Sequence, residues 1–167
     1  SLIHCDERYV IIRVGTAAIV GLYLPCSGTN NRLVIIEDTL HDIEEYLRNS
    51  PFQAVIVGGD FNCDLSGNRQ DTLKVTMQNF FDNLSLERAD GLFNVRCPTY
   101  RHETLGHSSQ IDYFFTSDSA SMLEFETLSP DSNFSDHFPI MCVQYILKGL
   151  DSHDDSSYIK TIDVNST

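Results

Sequence analysis

The sequence lacks the features that mark membrane, secreted and nucleic-acid-coating proteins. No apolar run approaches the ~20 residues that a membrane-spanning helix needs, and the longest candidate, residues 10–24, is interrupted by an arginine and two glycines. The N-terminus carries no basic stretch followed by an apolar core, so we find no signal peptide. Lysine and arginine number only 11 against 24 aspartate and glutamate residues, which gives a net charge of −13. This charge argues against a stoichiometric nucleic-acid coat protein, although metal ions bound to carboxylates can invert such a field locally.

The sequence also lacks the cysteine patterns of disulfide-linked or zinc-binding proteins. The five cysteines are odd in number and scattered singly, with no Cys-x-x-Cys pair and no zinc-type spacing of cysteine and histidine. We therefore expect free, buried thiols and an intracellular protein, nuclear or cytoplasmic, that does not bind membranes. A length of 167 residues with 41% hydrophobic residues suits one folded domain with a sizeable core.

Hydrophobic periodicity predicts two helices among many strands. Apolar residues at three- and four-residue intervals predict one amphipathic helix from about residue 30 to residue 50 and a second over 71–84. β-Branched and aromatic runs predict strands over 9–14, 17–24, 53–57, 92–95, 99–102, 111–116, 123–127 and 139–147. Helices placed between strands indicate an α+β layered architecture in which helices cover packed sheets. We expect the domain to span 1–148, followed by an acidic Ser/Asp-rich mobile tail or linker over 149–167.

The first segment that could carry chemistry is Gly58-Gly-Asp-Phe-Asn62. It follows a wholly apolar strand, and the two glycines allow the backbone to turn sharply. Asp60 and Asn62 can point to the same side, where a carboxylate and an amide oxygen could hold a hard cation or position a water. The alternative is an ordinary Gly-Asp turn with local hydrogen bonds.

The second segment is Ser108-Ser-Gln-Ile-Asp-Tyr-Phe-Phe115, in which Asp112 lies among apolar and aromatic residues. An ionised carboxylate in such surroundings costs several kcal/mol unless a partner such as histidine or arginine compensates it. The alternative is that Asp112 lies on a solvent-facing edge.

The third segment is Ser135-Asp-His-Phe-Pro139, just before the strand predicted over 139–147. Asp136 and His137 point to different sides of an extended backbone, so one could face a metal and the other a substrate. A single Asp-His pair is also a common feature of ordinary loops.

In this order and spacing, the three segments resemble the later signature blocks of the endonuclease/exonuclease/phosphatase superfamily. That superfamily includes abasic-site endonucleases, DNase I-like enzymes, inositol-polyphosphate phosphatases and the endonuclease domains of non-LTR retrotransposons. The resembling blocks are Gly59-Asp-Phe-Asn62, Ser109-Gln-Ile-Asp-Tyr113 and Ser135-Asp-His-Phe-Pro139, preceded by Gly21-Leu-Tyr-Leu-Pro25. The likeness runs from about residue 9 to residue 147.

The resemblance implies a four-layer α/β sandwich, with two packed sheets flanked by helices, and a phosphoester hydrolase that uses Mg²⁺, with Mn²⁺ as the alternative. It further implies a role for each matching residue. Asp60 would hold or deprotonate the attacking water and would also bind the metal, and Asn62 would steady that water or a phosphate oxygen. Asp136 would bind the metal directly or through water. His137 and Tyr23 would contact the phosphate, and Asp112 would orient His137.

The sequence departs from the superfamily pattern in two places. The early asparagine block and the glutamate metal ligand of the superfamily are not recognisable near Ser1-Leu-Ile-His-Cys-Asp-Glu7. We therefore expect this chain to match the later two thirds of a domain, without its first strands, and to be a weak or inactive hydrolase alone. Cys26 follows Pro25, where many nucleases of the superfamily have asparagine.

The loop pattern around Cys97-Pro-Thr-Tyr-Arg-His102 looks most like that of retrotransposon endonucleases. This favours a DNA endonuclease that is followed, in a longer product, by a reverse transcriptase domain. One alternative is a small-molecule or lipid phosphodiesterase or phosphatase of the same superfamily, which the acidic balance favours. The other alternative is a truncated remnant without catalytic activity.

Overall fold

In the computed structural model we describe residues 1–66, 71–95, 98–102, 104–128 and 135–146, together with the backbone of the strand Tyr158–Asp163. The helices are α1 (Arg32–Arg48), α2 (Thr72–Asn83) and the single turn α3 (Ala89–Leu92). The strands are β1 (Leu2–Cys5), β2 (Tyr9–Val14), β3 (Ala17–Tyr23), β4 (Ala54–Asp60), β5 (Glu87–Arg88), β6 (Tyr100–Arg101), β7 (Ser108–Ser109), β8 (Asp112–Thr116), β9 (Met122–Thr127), β10 (Ile140–Ile146) and β11 (Tyr158–Asp163). Both long helices lie where the periodicity predicts them.

Six strands form the main sheet, in the order β1-β2-β3-β4-β8-β5. β3 and β4 are parallel and α1 connects them, whereas β4 and β8 are antiparallel. The second sheet has the order β11-β10-β9, and β6 pairs with β7 in a separate hairpin. The last residues of β3 and β4 and the first residue of β8 therefore lie side by side at the same edge of the main sheet.

Two hydrophobic cores lie on opposite faces of the main sheet. In the first, α1 and α2 pack their apolar faces on β2, β3, β4 and β8, with Phe61 and Phe115 among the central side chains. In the second, the opposite face of the main sheet packs on β9, β10 and α3 around Phe114 and Ile140. Neighbouring β4 residues divide between the cores, Val57 into the first and Ile56 into the second, so this strand is buried on both faces. The predicted packing of two sheets with flanking helices is confirmed.

Three local expectations differ from the structure. The strand predicted over 92–95 is wrong, because α3 ends in a turn closed by Phe93 and Val95 N–H groups that donate to the carbonyls of Ala89 and Asp90. β1 was not predicted, and it pairs antiparallel with β2. Where a mobile tail was expected, β11 pairs with β10, while residues 149–157 and 164–167 lie outside the described residues. The domain boundary at residue 148 stays a prediction.

The described cysteines are free, as expected, but they are not all buried: Cys142 is buried and Cys63 is partly buried, whereas Cys5 and Cys26 are exposed. Cys5, Cys26, Cys63 and Cys142 form no disulfide, and Cys97 lies outside the described residues. Among the described residues, no helix combines the length and the apolar character that crossing a membrane requires.

Candidate active site

Three residues form a row across the main sheet where β3 and β4 end and β8 begins. Tyr23 is the register partner of Asp60, and Asp60 is in turn the partner of Asp112. The row therefore joins residues that are far apart in the sequence but adjacent in the sheet. Sequence patterns place each residue at a strand end, whereas the strand order brings them together.

The two glycines before Asp60 are required by close packing rather than by a turn, because β4 continues through both of them. A Cβ atom on Gly58 would lie 2.3 Å from the ring of Phe114. Gly59 has a φ of +145°, and a Cβ there would lie 1.9 Å from the carbonyl oxygen of Leu22. Only glycine allows β3, β4 and β8 to approach this closely, and this approach sets the position of Asp60.

Asn62 fixes both oxygens of the Asp60 carboxylate. Its backbone N–H donates to Oδ1 at 2.7 Å, and its side-chain Nδ2 donates to Oδ2 at 2.8 Å and to the carbonyl of Leu24 at 2.9 Å. Asn62 has a φ of +49°, a left-handed conformation that asparagine tolerates better than most residues. Arg32 holds this turn, because it donates to the carbonyl oxygens of Asn62 and Pro25 at 2.7 and 2.8 Å.

Asp60 is an acid of unusually high pKa. The residue is only 8% exposed. Burial, followed by the negative charge of Asp112, raises the pKa of Asp60 to about 6, while the hydrogen bonds from Asn62 oppose the increase. Asp60 therefore exchanges its proton close to neutral pH, which suits a group that accepts a proton from water.

Asp112 has the partner that its apolar surroundings require. His137 Nδ1 lies 3.0 and 3.2 Å from the two oxygens of the Asp112 carboxylate. The side-chain hydrogen bond to Asp112 raises the pKa of His137, more than burial lowers it. The pair therefore favours a protonated imidazole ring whose other nitrogen points away from Asp112.

The segment of residues 99–101 packs between the backbone at Asp112 and the backbone at His137 and supports this pair. Tyr100 forms an antiparallel bridge with His137, and their rings lie 5.1 Å apart in an edge-to-face arrangement. The N–H of Arg101 donates to the carbonyl oxygen of Asp136 at 2.8 Å. Thr99, on the same segment, is fully buried and accepts hydrogen bonds from the N–H groups of Ile111 and Asp112. The sequence signals for this segment were the strand predicted over 99–102 and the loop pattern around it, and neither indicated a role in supporting the pair.

The predicted site residues do not all meet. One ligating atom from each of Asp60, Asp112 and His137 lies within 4.8 Å of the others, and Asn62 is bonded to Asp60. Asp136 is exposed and its carboxylate is outside this group. Tyr23 is 50% exposed beside Asp60 in the row.

Sequence reasoning also missed Arg8, whose guanidinium lies 5.9 Å from the centre of the Tyr23 ring. Its buried Nε has no hydrogen-bond partner among the described residues. No spacing in the sequence connects Arg8 with Tyr23, because the antiparallel pairing of β2 with β3 brings them together.

The donor set fits a divalent metal ion. Two carboxylates face one another at the sheet edge, and their mutual repulsion contributes to the high pKa of Asp60. A cation would relieve that repulsion, and hard cations such as Mg²⁺ and Mn²⁺ bind carboxylate oxygen. The Nδ1 atom of His137 already contacts Asp112, so the carboxylate oxygens are the better ligands.

Comparison with known proteins places these features in context. A family model described as endonuclease-reverse transcriptase matches residues 17–141. This stretch contains Tyr23, Asp60, Asn62, Asp112 and His137. A search of curated protein sequences finds no match.

Solved structures share the fold at low sequence identity. A 3′ phosphatase, NExo from Neisseria, bound to product DNA hairpin, aligns with a TM-score of 0.65 and 14% identity over 81% of this chain and 64% of its own. The endonuclease domain of TRAS1, a telomere-specific non-LTR retrotransposon, aligns with a TM-score of 0.56 and 20% identity over 78% of this chain and 59% of its own. An endonuclease/exonuclease/phosphatase family protein from Leptotrichia buccalis aligns with a TM-score of 0.51 and 18% identity over 79% of this chain and 51% of its own. The present chain thus spans roughly half to two thirds of these structures.

Proposed function

Because this chain belongs to the endonuclease-reverse transcriptase family, within the endonuclease/exonuclease/phosphatase superfamily of phosphodiester hydrolases, we propose that it is a metal-dependent DNA endonuclease of the retrotransposon type. The observation that carries this proposal is the cluster of Asp60, Asp112 and His137 at one sheet edge. An acid that titrates near pH 6 lies there beside a histidine of raised pKa. Hydrolysis of a phosphodiester requires a base for water and a cationic donor for the phosphate, and this cluster provides both.

Asp60 is the proposed base. With a pKa of about 6 it is largely ionised at pH 7 to 8, yet it is basic enough to take a proton from an attacking water. Asn62 holds both carboxylate oxygens through hydrogen bonds of 2.7 and 2.8 Å, which limits the directions from which a water can approach. Asn62 is therefore the residue that orients the base.

His137 is the proposed donor to a non-bridging phosphate oxygen. Asp112 accepts from Nδ1, so the proton on Nε2 remains available for substrate, and the raised pKa of His137 keeps the ring protonated near neutral pH. A protonated ring in a partly buried site stabilises the charge that develops on the phosphate. Tyr23, exposed beside Asp60, is the proposed second contact to the phosphate.

A divalent ion, Mg²⁺ or Mn²⁺, would be held by Asp60 and Asp112, whose carboxylates lie in one cluster. The exposed Asp136, which lies outside that cluster, is the proposed further ligand, directly or through water. When bound, the ion would neutralise charge on the phosphate and lower the pKa of a coordinated water. Asp112 contributes negative charge to the same site through its position opposite Asp60.

The substrate and partners are also proposals. We propose DNA as the substrate and, in a longer product, a reverse transcriptase domain as the partner, in keeping with the description of the matching family. One observation favours a second candidate function, a small-molecule or lipid phosphodiesterase or phosphatase, because a net charge of −13 is unfavourable for binding DNA.

The test is an assay of the purified chain at millimolar Mg²⁺ and Mn²⁺ on three substrates: supercoiled plasmid, a DNA strand with a 3′ phosphate, and bis(p-nitrophenyl) phosphate. We expect weak nicking of the plasmid that EDTA and His137→Ala abolish. Hydrolysis of only the small substrate or the 3′ phosphate would support the second candidate instead. Absence of any metal-dependent hydrolysis would contradict both and support a remnant without catalytic activity.

A further inference from the structure

Thr99 lies between the segments that carry Asp112 and His137, and it is fully buried. Its Oγ1 accepts hydrogen bonds from the N–H groups of Ile111 and Asp112, both at 3.0 Å. Its carbonyl oxygen accepts from the N–H of Phe138 at 2.7 Å, and its own N–H donates to the carbonyl of Ser109 at 3.0 Å. One residue thus holds the backbone at Asp112 and the backbone next to His137.

Among the described residues, no strand ladder pairs β8 directly with the segment that carries His137. β8 pairs with β4 and β5 in the main sheet, whereas His137 is bridged to Tyr100, the residue after Thr99. Asp112 and His137 are 25 residues apart in sequence. Thr99 bonds directly on both sides, to the N–H of Asp112 and to the N–H of Phe138, which follows His137. A longer path runs from His137 through Tyr100 to Ser109 of β7.

We propose that Thr99 is a positioning residue: its hydroxyl and carbonyl groups hold Asp112 and His137 at the distance at which carboxylate and imidazole bond. The consequence for catalysis rests on the proposed function, whereas the consequence for the Asp112–His137 pair does not. The pair is sensitive to such support because its contacts are 3.0 and 3.2 Å, and a displacement of about 1 Å would break them.

The hydroxyl oxygen cannot be replaced by a solvent molecule without rearrangement, because Thr99 has no exposed surface. Valine has the same shape but no acceptor, so Thr99→Val leaves the N–H groups of Ile111 and Asp112 without their partner. Serine keeps the acceptor and loses only a methyl group. The two variants therefore separate the hydrogen bonds from the filling of space.

Thr116 provides a matched control at the other end of β8. It is also fully buried, and its Oγ1 accepts two hydrogen bonds, from the N–H of Asp118 at 3.1 Å and from the side chain of Gln144 at 2.9 Å. Thr116→Val thus removes an equivalent pair of bonds away from the candidate site. Loss of stability alone would affect both valine variants.

The primary readout is the proton NMR signal of His137 Nδ1 in the full chain with EDTA, assigned by its loss in His137→Gln. We expect the low-field signal in the unmodified chain, Thr99→Ser and Thr116→Val, and its loss in Thr99→Val. If Thr99→Val does not fold, as judged by near-UV circular dichroism, Thr99→Ala is measured in its place. Retention of the signal without the Thr99 hydroxyl, or its equal loss in Thr116→Val, would overturn the proposal.

The second readout is kinetic, with bis(p-nitrophenyl) phosphate and Mn²⁺. We expect Thr99→Val to lower kcat on the order of 10²-fold with KM nearly unchanged, because misplacement of a catalytic group by about 1 Å has an effect of that size. Thr99→Ser restores most of this loss, and Thr116→Val leaves kcat unchanged. If Thr99→Val has the same kcat as the unmodified chain, the proposed effect of Thr99 on catalysis is overturned. If no variant hydrolyses the substrate, the proposed function fails, and the NMR result alone decides the role of Thr99.

Discussion

Asp60 and Asp112 are direct cross-strand partners at the end of the β4–β8 pair, so two carboxylates stand side by side where a ladder ends. Like charges directly opposite one another destabilise a sheet. The raised pKa of Asp60 records this cost together with that of burial. Such a conflict between stability and local chemistry is what a functional site is expected to show.

The first prediction concerns stability and pH. The pKa of Asp60 is about 6 in the folded chain and near 3.9 when unfolded, so the folded state binds more protons between these values. The contribution of Asp60 to stability is therefore present below pH 4 and is lost as the pH rises through 6. From pH 5 to pH 8, the unfolding free energy of the unmodified chain should therefore fall by about 1 kcal/mol relative to that of Asp60→Asn. Urea unfolding in EDTA measures this difference.

The control for this prediction is Asp38→Asn, which removes the same charge from an exposed position on α1. It should give a difference that changes little between pH 5 and pH 8. If Asp60→Asn behaves in the same way as Asp38→Asn, the folded chain does not hold Asp60 at a raised pKa.

The second prediction concerns the His137–Asp112 pair. Asp112→Asn removes the charge and alters the hydrogen bond that together raise the pKa of His137, so the imidazole should titrate at a lower pH. Asp136→Asn removes an equal charge that contributes less, and should lower the pKa of His137 by a smaller amount. NMR titration of the imidazole measures both. Equal shifts in the two variants would mean that the hydrogen bond to Asp112 is not the main cause.

Much of this fold follows from the sequence, because hydrophobic period decides the type of the longer elements. The helical spacing in α1 and α2 and the β-branched runs of β2 and β3 are strong local signals. Short elements are different. The single turn of α3 buries Asp90 against Arg88 through two hydrogen bonds of 2.8 Å, a tertiary arrangement that overrides the apolar composition read as a strand.

The sequence selected Asn62, which orients Asp60, together with the ionisable residues, but it gave no sign of the support from Thr99, and it also selected Asp136, which lies outside the cluster. Asp60, Asp112 and His137 could be selected because charged groups next to apolar runs require compensation. Thr99 carries no such signal, because a threonine in a strand is ordinary, and its role follows only from the folding of its segment between Ile111 and Phe138. Strand order is a non-local property, and it decides which strand ends meet.

The third prediction concerns Gly59, which allows β4 to lie close to Leu22 of β3. Gly59→Ala forces a side chain into a left-handed backbone and against the carbonyl oxygen of Leu22, at 1.9 Å without rearrangement. We expect a loss of several kcal/mol in unfolding free energy, or failure to fold. Thermal unfolding followed by circular dichroism measures this loss. In Gly91→Ala, the matched control in α3, the added Cβ makes an ordinary contact at 4.0 Å and stability should change by less than about 1 kcal/mol. Similar unfolding in both variants would show that Gly59 is not constrained.

The last prediction asks whether the site takes a polymer. Arg8 precedes β2, and its guanidinium lies over the exposed Tyr23 ring while its buried Nε has no partner among the described residues. A cation so placed suits a phosphate next to the one that water would attack with Asp60 as base and His137 as donor. Arg8→Ala should lower kcat/KM on a DNA oligonucleotide about 10-fold and reduce the salt dependence of binding by about one phosphate.

Bis(p-nitrophenyl) phosphate contains only one phosphate, so Arg8→Ala should leave its hydrolysis within about 2-fold. The control is Arg13→Ala, because Arg13 also lies over an aromatic ring, Phe52 at 4.7 Å, but at the far end of β2. It should affect neither substrate. Equal losses on both substrates would show that Arg8 acts on the site itself or on the fold. Equal losses in Arg8→Ala and Arg13→Ala would show that general positive charge, rather than a contact beside Tyr23, governs binding.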